Sequence, residues 1–345
     1  MIDLRSDTAS KPTPAMREAI ANAEVGDEQL REDPTVNELE RRAADTLGQE
    51  DAVFVPTATM ANEIALRLHS RPGDEVIAEE NSHILIAELG GPAVFAGLVT
   101  RPVASTNGRF GPELIRSLAR EGDSHHLPRT RIVSIENTHN SSGGRVWPLA
   151  EVAAVAAECR ALDIRLHLDG ARLMNAAAAL GVPAAEIGRH ADTVTLCLSK
   201  GLGCPLGALI AGPADAMHEA RRLKHLFGGA MRQAGIVAAA GVYALDNHVD
   251  RLVEDHRRAT RLALGLAEAG LAADPDRVET NFVQIDVAPL APQEAMARLA
   301  EHGVALSGTI HPTILRAVTH LDLDDEAIDR ALEAIPAALG ARVRA

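Results

Sequence analysis

Lys200 and Asp169 are the two residues whose type and position could do chemistry together. Thr193-Val194-Thr195-Leu196-Cys197-Leu198-Ser199-Lys200 reads as a buried strand of β-branched and apolar residues that stops at a lysine. A loop rich in glycine follows, Gly201 to Gly207, and then a second apolar strand, Ala208-Leu209-Ile210-Ala211. Burial lowers the pKa of a lysine and frees its lone pair, which is what an amine needs to form a Schiff base. A plainer reading is a lysine that snorkels from the strand end into water. Asp169 ends another apolar strand, Ile164-Arg165-Leu166-His167-Leu168-Asp169, and lies 31 residues before Lys200. That gap holds a helix and a return strand, so in a parallel sheet both side chains reach the carboxyl edge, where open α/β folds bind ligands. A Schiff-base lysine and a carboxylate to keep the pyridine nitrogen protonated are the two groups that pyridoxal phosphate requires. Taken alone, Asp169 could also cap the helix that follows it.

Other segments must position a phosphate and a substrate around that pair. Ala52-Val53-Phe54-Val55-Pro56 is a short strand, and Thr57-Ala58-Thr59 turns it into a helix running to about Leu68. Free N–H groups and the helix dipole make such a turn an anion cradle, although either threonine could be a simple cap. His83 follows the strand Val76-Ile77-Ala78 and could stack on a flat ring at the same edge. Arg131 to Asn137 is a further central strand, which leads into the polar loop Thr138 to Arg145. Thr35 is placed as the cap of a helix to Leu47, with Glu38 in the capping-box position. Helices are expected over 149–162, 234–245, 246–265, 292–302 and 324–338. Strands are expected over 280–287 and 314–319. Residues 1–35 carry little regular pattern: polar Arg5-Ser6-Asp7-Thr8 precedes Lys11-Pro12-Thr13-Pro14, which reads as an extended arm followed by a helix start, and such arms are solvated or pack on a partner subunit.

Composition narrows the class. Of the 345 residues 46% are hydrophobic and 24% charged, as in a globular core-forming chain, and the formal net charge is −14. Such a charge argues against a general nucleic-acid or anionic-membrane surface. No apolar run reaches membrane-spanning length, and Met1-Ile2-Asp3-Leu4-Arg5 carries no signal-peptide pattern. Cys159, Cys197 and Cys204 are odd in number and lack zinc-ligand spacing, so no metal site is expected and a reduced, cytoplasmic setting fits.

With these motifs in place, the sequence resembles the low-specificity L-threonine aldolases over nearly its whole length. The carriers are Asp3-Leu4-Arg5-Ser6-Asp7-Thr8, Glu32-Asp33-Pro34-Thr35, Ser82-His83, Pro128-Arg129-Thr130, Glu136-Asn137-Thr138-His139-Asn140, Ser142-Gly143-Gly144-Arg145, His167-Leu168-Asp169-Gly170-Ala171-Arg172, Leu198-Ser199-Lys200-Gly201-Leu202, Met231-Arg232-Gln233-Ala234-Gly235 and Arg316-Ala317-Val318-Thr319-His320. The resemblance implies an α/β fold of type I, the aspartate-aminotransferase fold. A large domain with a mostly parallel central sheet and the N-terminal arm would span 1–245. A smaller C-terminal α+β domain would span 246–345.

The resemblance further implies a pyridoxal-phosphate-dependent aldehyde-lyase. It would cleave L-threonine, L-allo-threonine or a related L-β-hydroxy-α-amino acid to glycine and an aldehyde. Lys200 would carry the cofactor, Asp169 would meet its ring nitrogen, His83 would stack on the ring, and Thr57, Ala58 and Thr59 would cradle the phosphate. Arg232 of a neighbouring subunit would help there, in a homotetramer with shared sites. Ser6, Arg172 and Arg316 would hold the substrate carboxylate, and His126 would lie near its hydroxyl. His83, His126 or a water could be the base. Another enzyme of the same fold, a transaldolase, racemase or β-eliminating lyase with a bulkier substrate, is the alternative. A binder without activity would have no need of a carboxylate clamp.

Four departures from the family pattern stand out. Thr57-Ala58-Thr59 replaces Ser-Gly-Thr or Thr-Gly-Thr, and at a positive φ the alanine would cost about 1 kcal/mol. Leu30-Arg31 replaces Tyr-Gly. Gly203-Cys204-Pro205 and the segment Ala305 to Pro312 also differ from the usual pattern.

Overall fold

A computed structural model describes residues 1–340 except Glu121 and Asp123. Its centre is a seven-stranded sheet in the order Asp51–Val55, Ala208–Gly212, Thr193–Cys197, Arg165–Gly170, Thr130–Glu136, Glu75–Glu79, Val99–Val103. Ala208–Gly212 runs antiparallel to both of its neighbours, and the other pairs are parallel. The mostly parallel sheet expected from the βα alternation is therefore present.

Both faces of the central strands are covered, and Thr193–Cys197 and Ala208–Gly212 are buried along their whole length. Alternation along Asp51–Val55 shows the division. Val53 and Val55 pack with Ile64, Met217 and Leu223 of the helices Ala58–Leu68 and Ala214–Leu226. Ala52 and Phe54 join the larger core on the opposite face with Leu39 and Leu47 of the helix Pro34–Leu47. That helix is capped differently from the expectation. Asp33 accepts from the N–H groups of Thr35 and Val36 with Pro34 in the first turn, so Thr35 is not the cap. The Thr35 hydroxyl donates to the Glu24 carbonyl, and Glu38 pairs with Arg41.

A second core lies under a four-stranded sheet in the order Ser307–Gly308, Ile314–Val318, Phe282–Asp286, Ala272–Ala273, with antiparallel pairings. Helices Leu252–Glu268, Pro292–Glu301 and Asp325–Leu339 supply most of its other apolar residues. The N-terminal arm joins this unit. Ile2–Asp3 pairs in parallel with Val304–Ala305, Leu4 is fully buried in the second core, and the Leu4 carbonyl accepts from the Val318 N–H. Ser6 then caps a short turn over Asp7–Ala9, which brings Asp7 back toward the large sheet. The arm thus bridges the two cores within one protomer.

Two departures resolve in opposite ways. Ala58 is the first residue of the helix Ala58–Leu68 and does not have a positive φ, so it carries no strain. Arg31 sits at φ 59°, in the left-handed region where glycine is favoured. The family's glycine is therefore missed at Arg31 rather than at Ala58. The Ala305–Pro312 departure forms the edge strand Ser307–Gly308.

Candidate active site

The carboxyl ends of the parallel strands converge on one edge. Asp169 and Glu136 are register partners at adjacent strand ends. His83 begins a short helix after Glu75–Glu79, Lys200 follows Thr193–Cys197, and Thr57 caps the helix after Asp51–Val55. Sequence order scatters these residues over 140 positions, and the parallel topology gathers them at about the same height on one edge.

One wall is built of carboxylates. Asp169 is almost fully buried. Its Oδ1 accepts from the Ala171 N–H at 3.0 Å and its Oδ2 from Asn62 Nδ2 at 2.9 Å. Asn62 Nδ2 also donates to Glu88 Oε1 at 2.9 Å, and Glu88 Oε1 lies 2.7 Å from His83 Nδ1. A carboxylate only accepts, so His83 carries its proton on Nδ1 and its Nε2 is left for another partner. The His83 backbone N–H donates to Glu136 Oε2 at 2.7 Å. The Glu88 bond, and then the charges of Asp169, Glu88 and Glu136, outweigh burial and raise the His83 pKa above its ordinary value. Donor atoms of His83, Glu88 and Asp169 lie within 4.8 Å of one another.

The same amide sets the state of a second histidine. Since both Asn62 N–H groups point to carboxylates, Asn62 Oδ1 must accept from His167 Nε2, at 3.2 Å. His167 Nδ1 then accepts from Thr193 Oγ1 at 3.0 Å, and Thr193 Oγ1 accepts from His69 Nε2 at 3.1 Å. Burial lowers the pKa of His167 and of His69 to about 4, in keeping with two neutral rings. Every donor in this chain points toward Asp169, so the chain favours the anion.

The opposite wall is built of arginines. Arg172 Nε and Nη2 each donate to Asp7 at 2.7 Å, a buried two-pronged pair. Burial alone would raise the Asp7 carboxyl, but the Arg172 charge and bonds hold it well below the carboxylate range, with help from Lys200 and Asn281. Arg172 therefore spends Nε and Nη2 on Asp7, and its Nη1 is not used in that pair. Arg316 differs. Its Nη1 donates to Asn140 Oδ1 at 2.8 Å and its Nε to Ser307 Oγ at 3.2 Å. Among the described residues it forms no ion pair with a carboxylate. Both guanidinium groups lie on the Phe282 ring, at 4.8 and 5.4 Å from its centroid. Burial and then the Arg172 charge lower the Arg316 pKa.

Three other candidates are placed less centrally. Ser6 Oγ accepts from the Thr8 N–H at 3.2 Å and from the Thr8 hydroxyl at 2.9 Å, as a local cap. Arg232 is exposed and pairs with Asp27 at 2.8 Å. His126 is exposed in a loop that leads through Arg129 to the amino end of Glu75–Glu79, the edge opposite Lys200. Within one protomer these contacts do not bring His126 together with Lys200, Asp169 and His83. Sequence reading missed Asn62, Glu88 and Asp7. Asn62 and Glu88 carry no motif, whereas Asp7 stands inside Arg5-Ser6-Asp7-Thr8 and was legible as a buried partner only through its ion pair.

The donor set fits pyridoxal phosphate. A buried carboxylate fixed as an anion, an amine at the neighbouring strand end and a helix start with Thr57 Oγ1 bonded to Met60 N each match one part of that cofactor. A family model described as beta-eliminating lyase matches residues 3–289. The chain is 42% identical over 328 residues to the low specificity L-threonine aldolase of Escherichia coli, covering 94% of this chain and 96% of that protein. It is 40% identical over 342 residues to a probable low-specificity L-threonine aldolase 2 of Arabidopsis thaliana, covering 96% and 95%. The solved threonine aldolase of Leishmania major shares the fold with a TM-score of 0.85 at 22% identity, over 98% of this chain and all of that one. The fold and the site define a type I pyridoxal-phosphate enzyme. More narrowly, the chain belongs to the low-specificity L-threonine aldolase family.

Proposed function

We propose that the protein cleaves L-threonine, L-allo-threonine or a related L-β-hydroxy-α-amino acid to glycine and an aldehyde. The observation that carries this reading is the pairing of a carboxylate-bonded His83 on one wall with an unpaired Arg316 fork on the other. Pyridoxal phosphate supplies the carbonyl that takes up the substrate amine and the electron sink for the carbanion left when Cα–Cβ breaks. Lys200 tethers the cofactor through its amine, and Asp169 holds a proton at the ring nitrogen. The N–H groups at the start of helix Ala58–Leu68 and the Thr57 and Thr59 side chains receive the phosphate. Arg316 grips the α-carboxylate, held in aim by Asn140 and Ser307. Arg172, locked by Asp7, can add its remaining Nη1. With the carboxylate fixed there, Arg316 and Arg172 would orient the substrate for cleavage of its Cα–Cβ bond. His83 Nε2 takes the β-hydroxyl proton, and Glu88 stabilises the charge that results.

The exposed positions of His126 and Arg232 suit service to a neighbouring protomer in a homotetramer. We further assign 1–245 and 246–345 as large and small domains, with the arm crossing between them. No helix of the described residues is long and apolar enough to cross a membrane, and the reduced cysteines fit a cytoplasmic setting. The test is a screen of β-hydroxy amino acids read by glycine and aldehyde formation, with Lys200→Ala as control. Borohydride should fix the cofactor to Lys200, and mass spectrometry should find the label there. The same screen reads ammonia and the 2-oxo acid, 2-oxobutyrate from threonine, which are the products of β-elimination. Formation of those alone, or of no product from any substrate, would overturn the assignment.

A further inference from the structure

Behind the carboxylate wall lies a group that the proposed mechanism does not use. Glu63 lies in the middle of helix Ala58–Leu68 and is 1% exposed. Among the described residues neither of its carboxyl oxygens has an N–H or O–H partner, and Glu88 Oε2 has none either. These three orphan oxygens belong to two neighbouring side chains: Glu63 Oε1 lies against Gly91, whose N–H donates to the Glu88 carbonyl at 2.8 Å. A Cβ built on Gly91 would meet Glu63 Oε1 at 1.9 Å, so the glycine is what admits the carboxyl group. Two neighbouring buried carboxyl groups, with no cation paired to Glu63 among the described residues, cannot both be ionised. One shared proton gives a partner to Glu88 Oε2 and to one Glu63 oxygen, and removes the second charge.

Its location follows from the other bonds. Glu88 Oε1 already accepts from His83 Nδ1 and Asn62 Nδ2, so the anion is stabilised on Glu88. Glu63 has no such donors. We propose that Glu63 is a neutral acid that donates its proton to Glu88 Oε2 and, as a positioning residue, sets how strongly Glu88 draws the proton of His83. Burial, and then Glu88, raise the Glu63 pKa to about 9, which accords with a neutral group at pH 7. The groups around the relay are few. Glu88 acts on Glu63, and Glu88, Asp169 and Glu136 act on His83. His167 reaches the same Asn62 from its strand. Helix Ala214–Leu226 packs on the helix of Glu63, but its Lys224 pairs with Glu28 and its Arg221 with Glu40 and Asp51.

The inference leans on His83 as the base, so its test separates the two claims. Infrared spectra of the holoenzyme should show a protonated carboxyl stretch at pH 7 that is absent in Glu63→Gln. A histidine-labelled NMR titration, assigned with His83→Asn, should place the His83 pKa of Glu63→Gln close to the parent, because the amide still donates to Glu88. Glu63→Leu leaves Glu88 without that donor. Its His83 pKa should rise by about half a unit or more, and kcat/KM at pH 6 should fall by about three-fold while recovering at alkaline pH. A carboxyl stretch that survives in Glu63→Gln, or a His83 titration that ignores both substitutions, overturns the role of Glu63. A His83 titration that moves in Glu63→Leu with an unmoved kcat/KM profile instead upholds Glu63 and removes His83 as the base.

Discussion

The two walls of the site handle buried charge in different ways. On the carboxylate wall, Asp169, Glu88 and Glu136 all receive N–H donors from Asn62, His83 or backbone. On the arginine wall, one cation is fully paired and its neighbour is not. Arg172 spends two donors on Asp7, whereas Arg316 spends its donors on neutral oxygens. Two arginines sharing one aromatic ring and one carboxylate leave a net positive charge facing the cofactor edge. A protein that needed only stability would pair both. In the function we propose, a substrate carboxylate completes that unpaired fork.

Removing the pairing on Arg172 should have the largest effect. Asp7→Asn leaves a buried guanidinium without its anion, and breaking such a pair costs about 3–5 kcal/mol. Chemical denaturation should show that loss at neutral pH, with activity falling because the arm and Arg172 both loosen. The pH dependence gives a second reading. Asp7 has its folded pKa depressed below the unfolded value of about 4, so its contribution is full above that value and is lost as pH falls further. The parent should therefore lose its advantage over Asp7→Asn progressively below pH 4. An advantage that stays constant down to the acid transition would mean that Asp7 is not the anion of this pair.

Arg316→Lys sharpens the contrast, because it should touch catalysis and leave stability nearly alone. A lysine keeps the charge and loses the fork, and a charge-assisted fork is worth about 1.5–3 kcal/mol. The expected fall in kcat/KM is about 10- to 200-fold on both L-threonine and L-allo-threonine, with cofactor absorbance unchanged. Full activity in that variant would move the carboxylate site away from Arg316.

Much of this arrangement was legible in the chain, and the rest fails for identifiable reasons. Lys200, Asp169, His83 and Thr57 stand at ends of apolar runs, and strand-end position is a local property that spacing reveals. Arg172 and Arg316 were legible as cations near the site, but their difference was not. It depends on Asp7, which a parallel pairing of Ile2–Asp3 with residues 304–305 helps to bring near the sheet edge. Asn62 and Glu88 sit within ordinary helical and loop sequence, and only the tertiary fold turns them toward Asp169. The glycine departures show the same limit. Whether Ala58 or Arg31 carries a cost depends on a backbone angle that residue type alone does not fix.

The smallest effect belongs to the carboxylate wall, where each charge already has partners. Glu88→Gln keeps the shape and removes the anion next to His83 Nδ1. Since the Glu88 bond is the foremost cause of the raised His83 pKa, the variant should lower it. As a base His83 must be neutral, so the acid limb of the parent kcat/KM profile should lie above the ordinary histidine value of about 6.5. In Glu88→Gln that limb should move down by roughly half a unit to one unit, a differential interaction of about 0.7–1.4 kcal/mol. Activity at pH 6 should then suffer less than activity at pH 8, where the parent His83 is already neutral and only the charge stabilisation by Glu88 is lost. Steady-state profiles from pH 5.5 to 9 with L-allo-threonine, at constant ionic strength, resolve a shift of that size. A limb that moves upward would mean that Glu88 is the protonated partner and that the anion resides on Glu63. A limb that does not move would assign the titration to another group and leave His83 as a ring-stacking residue alone.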